Sequence, residues 1–464
     1  MKIALVPLYV DYYENIVSGL KESKDELCRK AVSALELGGH EVTRYDPVTD
    51  LQSARAVRQR LSENSADCLV VVPLVAAFSI LSDELAKGWR GPLVLLSSMA
   101  GTAVPKTMTM TKAVAESQAF GSQAIANGWM RQRLKFQVVH HIPGTHDGDK
   151  AISGLLKTID ACRLLPRLRL GLIGQVFDGM TDVLLPADDF TKHTGAKIIE
   201  IPMRRIHDLM EKATQAEESA LAKQLSQTFA FGTFSPAEKK LSLRAALAIQ
   251  KVIAEEQLDC AAFNSHGPDG LKSQKLGVMC ALGVTLATSA GRPVSEVGDL
   301  CTAFAMWLGR KLGGASYYTE LDSAYISSHE WLLLNSGEYD LAWLRPRSKP
   351  RLLRNTNFEG VNGRGASVCA PLRAGPATLI NFSPTPKGDK PYRIQYCEGA
   401  IGKKWNPEMG VGNARFEVVG DARTIYENWL SAGPVHHCCT SPEHLGKHLE
   451  FFCQEQGWTC LRIF

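Results

Sequence analysis

Three acidic side chains, Glu296, Glu320 and Asp322, stand beside apolar segments, and two histidines, His436 and His437, follow near the end of the chain. A carboxylate beside a packed apolar element loses hydration, which is tolerated when a cation or a set of hydrogen bonds replaces the lost water. Two such carboxylates and one imidazole form a plausible site for a hard divalent metal ion. The same acids are also explained as a helix-starting Glu296 and two solvated loop charges.

Neighbouring histidines in an extended chain point to opposite sides, so only one of His436 and His437 is expected to face the acids. Ligands of open α/β sheets collect beyond the carboxyl ends of the strands. That rule places Glu296 and His266, which lies in the turn FNSHGPDG, on one rim of a predicted second sheet. His266 is therefore a candidate substrate contact, although an exposed loop histidine without a role explains it equally well.

The length of the chain and its pattern of apolar residues predict the domains that position these residues. The chain has 464 residues, 45% of them hydrophobic and 22% charged, which is ordinary for a globular protein of two to four domains. A net charge of +4, with basic residues scattered apart from the run RPRSKPRLLR at 345–354, predicts no nucleic-acid partner. No apolar run is long enough to predict a membrane span. Twelve cysteines, mostly inside apolar segments, favour reduced thiols in a cytoplasm over a disulfide framework.

Residues 1–165 alternate short apolar runs with amphipathic helical patterns, which is typical of a doubly wound parallel sheet. Pro166 breaks this pattern, and residues 166–345 repeat it. From residue 346 the segments become β-rich and are separated by turn residues. The sequence therefore predicts an α/β protein with two doubly wound, Rossmann-like domains, 1–165 and 166–345, followed by a β-rich, barrel-like domain, 346–464. No G-x-G-x-x-G follows the first strand, which argues against dinucleotide binding.

Five segments, taken in order, carry a resemblance to a known family: SEVGDLCTAFAMWLG, YYTELDSAY, WLLLNSGEYDLAW, the pair RAGPATLINFSP and YCEGAIG, and WLSAGPVHHC. Together they resemble the L-fucose isomerase and L-arabinose isomerase superfamily of metal-dependent aldose–ketose isomerases, over nearly the full length. The resemblance implies Glu296 and Glu320 as metal-ligating acids that also move protons, with His437 or His436 as the imidazole ligand. Asp322 competes with Glu320 for its role.

The resemblance also implies partners. The metal would be a divalent ion, most plausibly Mn²⁺, and the protein would be a cytoplasmic homo-oligomer, a trimer or hexamer. Asn335 stands where arabinose-isomerase-like members carry a histidine ligand, which favours the three-ligand arrangement of fucose isomerases and makes Asn335 a candidate substrate contact. Arg373, near the predicted rim, is a candidate for holding an anionic group, with a surface salt bridge as its simpler explanation.

Such a site predicts an intramolecular oxidoreductase that moves a carbonyl between C1 and C2 of an open-chain pentose, hexose, deoxyhexose or modified hexose. The metal would chelate O1 and O2 and stabilise a cis-enediolate, while one glutamate moves the carbon-bound proton and the other the hydroxyl proton. A hydride shift needs the same metal and stays open. The alternative is a non-catalytic sugar-binding or regulatory protein that retains the isomerase fold, because a fold alone does not guarantee chemistry.

Overall fold

The computed structural model describes residues 1–99, 101–265, 280–355, 365–385 and 390–464. The chain folds into two units, Met1–Asp160 and Ala161–Phe464. Parallel sheets occur in both units, so the predicted α/β class is confirmed. Within the described residues, no helix is both long and apolar enough to cross a lipid bilayer.

The first unit is built on a five-stranded parallel sheet with the strand order β2-β1-β3-β4-β5. Its strands are β1 (Lys2–Leu8), β2 (Glu41–Arg44), β3 (Cys68–Pro73), β4 (Leu93–Ser98) and β5 (Gln137–His141). Its helices are α1 (Leu20–Glu36), α2 (Leu51–Glu63), α3 (Ser79–Ala86), α4 (Met110–Ala115), α5 (Gln118–Arg131) and α6 (His146–Leu164), the last of which ends in the second unit. All of β3 and nearly all of β1 are buried, as expected for continuous apolar strands that are covered on both faces.

The second unit begins with a four-stranded parallel sheet in the order β10-β9-β6-β7. Its strands are β6 (Arg169–Ile173), β7 (Lys197–Ile201), β9 (Cys260–Phe263) and β10 (Val294–Ser295). The helices of this region are α7 (Ala187–Thr194), α8 (Met203–Lys212), α9 (Gln215–Thr228), α10 (Pro236–Glu255), α11 (Ala281–Ser289) and α12 (Leu300–Gly313). A small sheet joins β8 (Ala230–Phe231), β13 (Arg351–Arg354) and β14 (Ala366–Cys369).

The rest of the second unit is organised around a closed antiparallel ring of strands. The ring runs β15-β18-β11-β12-β17-β16 and returns to β15, and β19 pairs in parallel with β16 on its outside. The strands are β11 (Tyr317–Tyr325), β12 (Glu330–Leu334), β15 (Gly375–Pro384), β16 (Tyr392–Ile401), β17 (Asn413–Val418), β18 (His437–Pro442) and β19 (Thr459–Ile463), with helices α13 (Ala422–Ser431) and α14 (Gly446–Gln456). Two ring strands, β11 and β12, precede residue 345, so the stretch 166–345 contributes to both the parallel sheet and the ring.

Helix α12 lies between these two structures. It packs against β9 of the parallel sheet and against β15 and β18 of the ring, and nearly all of its residues are buried. Phe304, on this helix, lies 4.5 Å from the ring of Phe382 on β15 and 5.7 Å from that of Trp458. A helix that is apolar all round is expected to be a buried core helix, and α12 is one.

Close packing of α12 on the ring requires a glycine at position 309. A Cβ atom there would lie 2.8 Å from Cys439 Sγ and 3.3 Å from Ile380 Cδ1. We predict that Gly309→Leu lowers the free energy of unfolding by about 1–3 kcal/mol through overpacking, although leucine favours the helix more than glycine does. Urea unfolding measures the change. Gly101→Ala, at a position with room for a Cβ atom, is the control, and its free energy of unfolding should change by no more than about 0.5 kcal/mol. Equal stability of Gly309→Leu and the wild type would contradict the packing account.

Candidate functional site

The segment Ser295–Asp299 forms a turn that holds Glu296 in the interior. Val297 has φ 53°, which is unusual for a β-branched residue, and Gly298 has φ 74°. A Cβ atom on Gly298 would lie 2.7 Å from the carbonyl oxygen of Gln175, so this turn requires glycine. Strain of this kind persists where the surrounding structure fixes it, and it is often found at functional sites.

Asp299 starts helix α12 and connects it to the ring. Its Oδ1 accepts from the backbone N–H of Thr302 (2.8 Å), and its Oδ2 accepts from the Thr302 hydroxyl (2.7 Å) and from His437 Nδ1 (2.9 Å). Because the carboxylate only accepts, the Nδ1 atom of His437 carries the proton. This contact fixes the orientation of the His437 ring, and Nε2 faces Glu320 Oε1 at 3.8 Å.

The strand register brings Glu320 and His437 together. Glu320 on β11 stands directly opposite His437 on β18. The His437 side chain is 1% exposed and that of Glu320 is 47% exposed, so the pair leads from the interior to solvent. The ring of Tyr318, two residues before Glu320, lies 5.0 Å from the imidazole ring of His437.

Two further carboxyl groups complete the cluster from the interior. Glu296 is 3% exposed; its Oε2 accepts from the Ser265 hydroxyl at 3.3 Å, and its Oε1 has no hydrogen-bond partner among the described residues. Glu338, which is 2% exposed, has no such partner for either oxygen. Burial, together with the charge of Glu338, raises the pKa of Glu296 well above its ordinary value. Burial, and to a smaller extent the charge of Glu320, raises the pKa of Glu338 to about 8.

Tyr318 lies within the electrostatic reach of all four acids. Burial raises the pKa of its hydroxyl far above the ordinary value, with further contributions from the charges of Glu320, Asp299, Glu296 and Glu338. Its hydroxyl oxygen has no hydrogen-bond partner among the described residues. The geometry is therefore a buried set of polar atoms with unused hydrogen-bonding capacity beside a half-exposed glutamate.

The other predicted site residues lie in different environments. Asp322 is exposed and accepts from the neighbouring Ser323 hydroxyl at 2.7 Å. His436 pairs with a different acid: its Nδ1 and its backbone N–H both contact Asp182 Oδ2, at 2.6 and 3.1 Å, while its ring centroid lies 3.8 Å from that of His437. Arg373 is exposed, and its backbone N–H donates to the carbonyl of Trp343 at 2.9 Å. His266 lies outside the described residues.

Asn335 holds the turn that carries Glu338. Its Nδ2 donates to the carbonyls of Tyr318 (2.9 Å) and Glu338 (2.8 Å), and its Oδ1 accepts from the backbone N–H of Gly337 (2.9 Å). These contacts occupy both ends of the amide. Asn335 therefore positions the site in this structure, while direct contact with a substrate stays a prediction.

Sequence reasoning missed Asp299, Tyr318, Ser265 and Glu338. A signal existed for Asp299, because an aspartate three residues before a threonine at the start of an apolar run is typical of a helix N-cap. Glu338, like Glu320, stands close to an apolar run, so the argument from desolvation applied to it as well. Tyr318 and Ser265 carry no comparable signal.

No protein-family model and no curated protein matches this chain. Among solved structures, the chain is similar to an ABC-transporter periplasmic solute-binding protein from Actinobacillus succinogenes 130z with bound D-allose, at 11% identity and a TM-score of 0.17, covering 68% of this chain and 92% of that one. It is also similar to an ABC-transporter solute-binding protein from Agrobacterium vitis bound with α-D-tagatopyranose, at 11% identity and a TM-score of 0.16, covering 67% and 89%.

The prediction of a manganese-dependent aldose–ketose isomerase is corrected. The solved structures named above are sugar-binding proteins rather than isomerases, although likenesses with such TM-scores establish neither fold nor function. Across the parts of the chain that the structure describes, no three His, Cys, Asp or Glu side chains are grouped so that they could hold a metal ion. In this structure Asp299 accepts from His437 Nδ1, Ser265 donates to Glu296 Oε2, and His436 pairs with Asp182.

The hydrogen bonds of Asn335 give a first prediction about this site. We expect Asn335→Ala to lower the free energy of unfolding by about 2–4 kcal/mol, because it leaves buried backbone groups unpaired. Chemical unfolding measures the loss. Asn428→Ala is the matched control, since that amide makes one exposed contact, with the carbonyl of Phe464, and it should change stability by about 0.5 kcal/mol or less. An equally small effect at Asn335 would show that the turn is held by other contacts.

The raised pKa of Glu338 predicts a pH dependence. Its pKa is about 8 in the folded chain against an ordinary 4.5, so folding favours the protonated form. This contribution to stability is fully present below about pH 4.5 and is lost as the pH rises through about 8. The urea midpoint of the wild type should therefore fall over this range more than that of Glu338→Gln, whose amide does not titrate. Parallel midpoint–pH curves for the two proteins would refute this assignment.

Proposed function

We propose that this protein is a non-catalytic sugar-binding or regulatory protein that retains the fold of the isomerases its sequence resembles. One observation carries the proposal. The site has buried polar atoms without hydrogen-bond partners among the described residues, namely Glu296 Oε1, both carboxyl oxygens of Glu338 and the Tyr318 hydroxyl. A ligand that supplies several partners at once removes the free-energy penalty of burying these atoms.

Sugar hydroxyls suit this set because each one both donates and accepts a hydrogen bond. A protonated carboxyl group also donates and accepts, as does the Tyr318 hydroxyl. The pKa of about 8 for Glu338 favours its protonated form near neutral pH, and burial raises the pKa of Glu296 in the same direction. The hydroxyl groups of a sugar can therefore either donate hydrogen bonds to these two acids or accept hydrogen bonds from them.

The position of Glu320 supports access from solvent. Its side chain is half-exposed, while the Glu296, Glu338 and Tyr318 side chains behind it are buried. A ligand that enters past Glu320 would reach the polar atoms that have no hydrogen-bond partner among the described residues. His437, held by Asp299, presents Nε2 on the same side and can accept a hydroxyl hydrogen.

Three features from the sequence remain part of this proposal. Residues 1–165, 166–345 and 346–464 would form two doubly wound domains and a barrel-like domain. The protein would be cytoplasmic, in keeping with twelve free cysteines of which most are buried. It would also assemble into a homo-oligomer, a trimer or hexamer.

The binding prediction is tested by isothermal titration calorimetry with a panel of neutral aldoses, ketoses and alditols. We expect at least one neutral sugar to bind, and Glu338→Met to weaken its binding about tenfold or more, because methionine keeps the side-chain volume and removes both oxygens. Glu338→Gln should retain much of the affinity, since an amide also donates and accepts. NMR spectra of the bound sugar, taken over time, should show no conversion to another sugar.

The matched control is Asp322→Asn, which neutralises an exposed acid on β11, the strand that also carries Tyr318 and Glu320. It should leave the affinity unchanged. The proposal fails if no neutral sugar in the panel binds, or if Glu338→Met and Tyr318→Phe bind the sugar as tightly as the wild type does.

A further inference from the structure

A cavity of about 640 Å³ opens at the amino edge of the four-stranded parallel sheet. Arg169 at the start of β6, Asp259 just before β9 and Arg292 just before β10 all line it. Glu296 and Ser265 follow the carboxyl ends of β10 and β9, so this cavity belongs to the opposite edge of the sheet from the site described above. Its volume lies within the range of pockets that hold small organic ligands.

One wall of the cavity combines polar and apolar groups on a single helix face. Gln250, Ile253, Ala254 and Gln257 line it at spacings of three, four and seven residues, which places them on one side of α10 and its end. Gln257 has φ 51°, a conformation in which glycine is the least strained residue. The wall therefore offers two amide groups beside an aliphatic surface.

The facing wall leaves room because its side chains are small. Ala287 and Ala290, three residues apart at the end of α11, line the cavity there. Alanine contributes only one methyl group at each position, so these side chains take up little of the cavity. A ligand in this space would place an apolar part against Ile253 and these alanines.

The floor of the cavity carries two guanidinium groups. Arg292 Nη1 donates to Asp259 Oδ1 at 2.8 Å, and the backbone N–H of Arg169 donates to Asp259 Oδ2 at 3.0 Å. Arg169 Nε donates to the carbonyl of Glu256 at 2.8 Å. A guanidinium has five N–H groups, of which Arg292 uses one in these contacts. Arg169 uses Nε, and its Nη2 also lies 3.9 Å from Glu256 Oε2. Asp259 thus holds Arg292 in the lining of the cavity, whose charged residues are two cations and one anion.

We propose that this cavity is a second binding site, which takes a small organic monocarboxylate with an aliphatic or hydroxylated body. A carboxylate matches the paired N–H groups of an arginine in a bidentate contact. The amides of Gln250 and Gln257 pair with hydroxyl groups on the body of the ligand, and the alanine wall accepts its carbon atoms. Asp259 disfavours a ligand with a second negative charge, which selects a monocarboxylate over inorganic phosphate.

Calorimetry at constant ionic strength tests this site with gluconate and lactate as probes, and with sorbitol and inorganic phosphate for comparison. We expect the carboxylates to bind with a Kd on the order of 1 mM or tighter, and sorbitol and phosphate to bind at least about tenfold more weakly. Arg292→Gln should weaken carboxylate binding about tenfold, and Arg292→Lys should restore it only in part, because lysine lacks the paired donors. Ala290→Leu, which extends a larger side chain into the cavity, should weaken carboxylate binding.

Two controls separate this site from the proposed sugar site. Arg204→Gln removes an arginine whose side chain is 88% exposed and should leave carboxylate binding unchanged. Glu338→Met should also leave it unchanged, whether or not that variant loses sugar binding. The inference is overturned if neither probe binds, if phosphate or sorbitol binds as tightly as gluconate, or if Arg292→Gln and Ala290→Leu bind both probes like the wild type.

Discussion

The burial of helix α12 between the parallel sheet and the strand ring is the constraint on which the second unit depends. The first backbone N–H groups of a buried helix need hydrogen-bond acceptors. Asp299 caps α12 by accepting from the backbone N–H of Thr302. The same carboxylate holds His437 on the ring. Asp299 therefore caps the N-terminus of α12 and also orients the imidazole of His437 in the candidate site.

The cost of burying carboxyl groups gives the site its chemistry. Burial raises the pKa of Glu296 and of Glu338, which favours the protonated form of each acid. Protonated acids and a buried tyrosine hydroxyl suit a ligand with many hydroxyl groups. The turn that carries Glu338 is fixed by Asn335, and the turn that carries Glu296 is fixed by Gly298, so the polar atoms are oriented before a ligand arrives.

The sequence predicted the coarse features and failed where side-chain partners decide the outcome. Continuous apolar runs such as β3 identified the parallel sheets, because a strand buried on both faces has little other pattern. The placement of Glu320 opposite His437 agrees with their expected proximity. The prediction of a metal-dependent isomerase was wrong, and spacing alone did not reveal the contact of Asp299 with His437 or the burial of Glu338. The strands β11 and β12 also join the ring through pairings with residues about one hundred positions later, which local patterns do not reveal.

The most direct test is a crystal structure of the protein with the neutral sugar that binds most tightly. The account predicts sugar hydroxyl groups within about 3.2 Å of Glu296 Oε1, of a Glu338 carboxyl oxygen and of the Tyr318 hydroxyl, with no change in the chemical identity of the sugar. A sugar bound elsewhere on the chain, or one converted to its ketose or aldose isomer at this site, would contradict it.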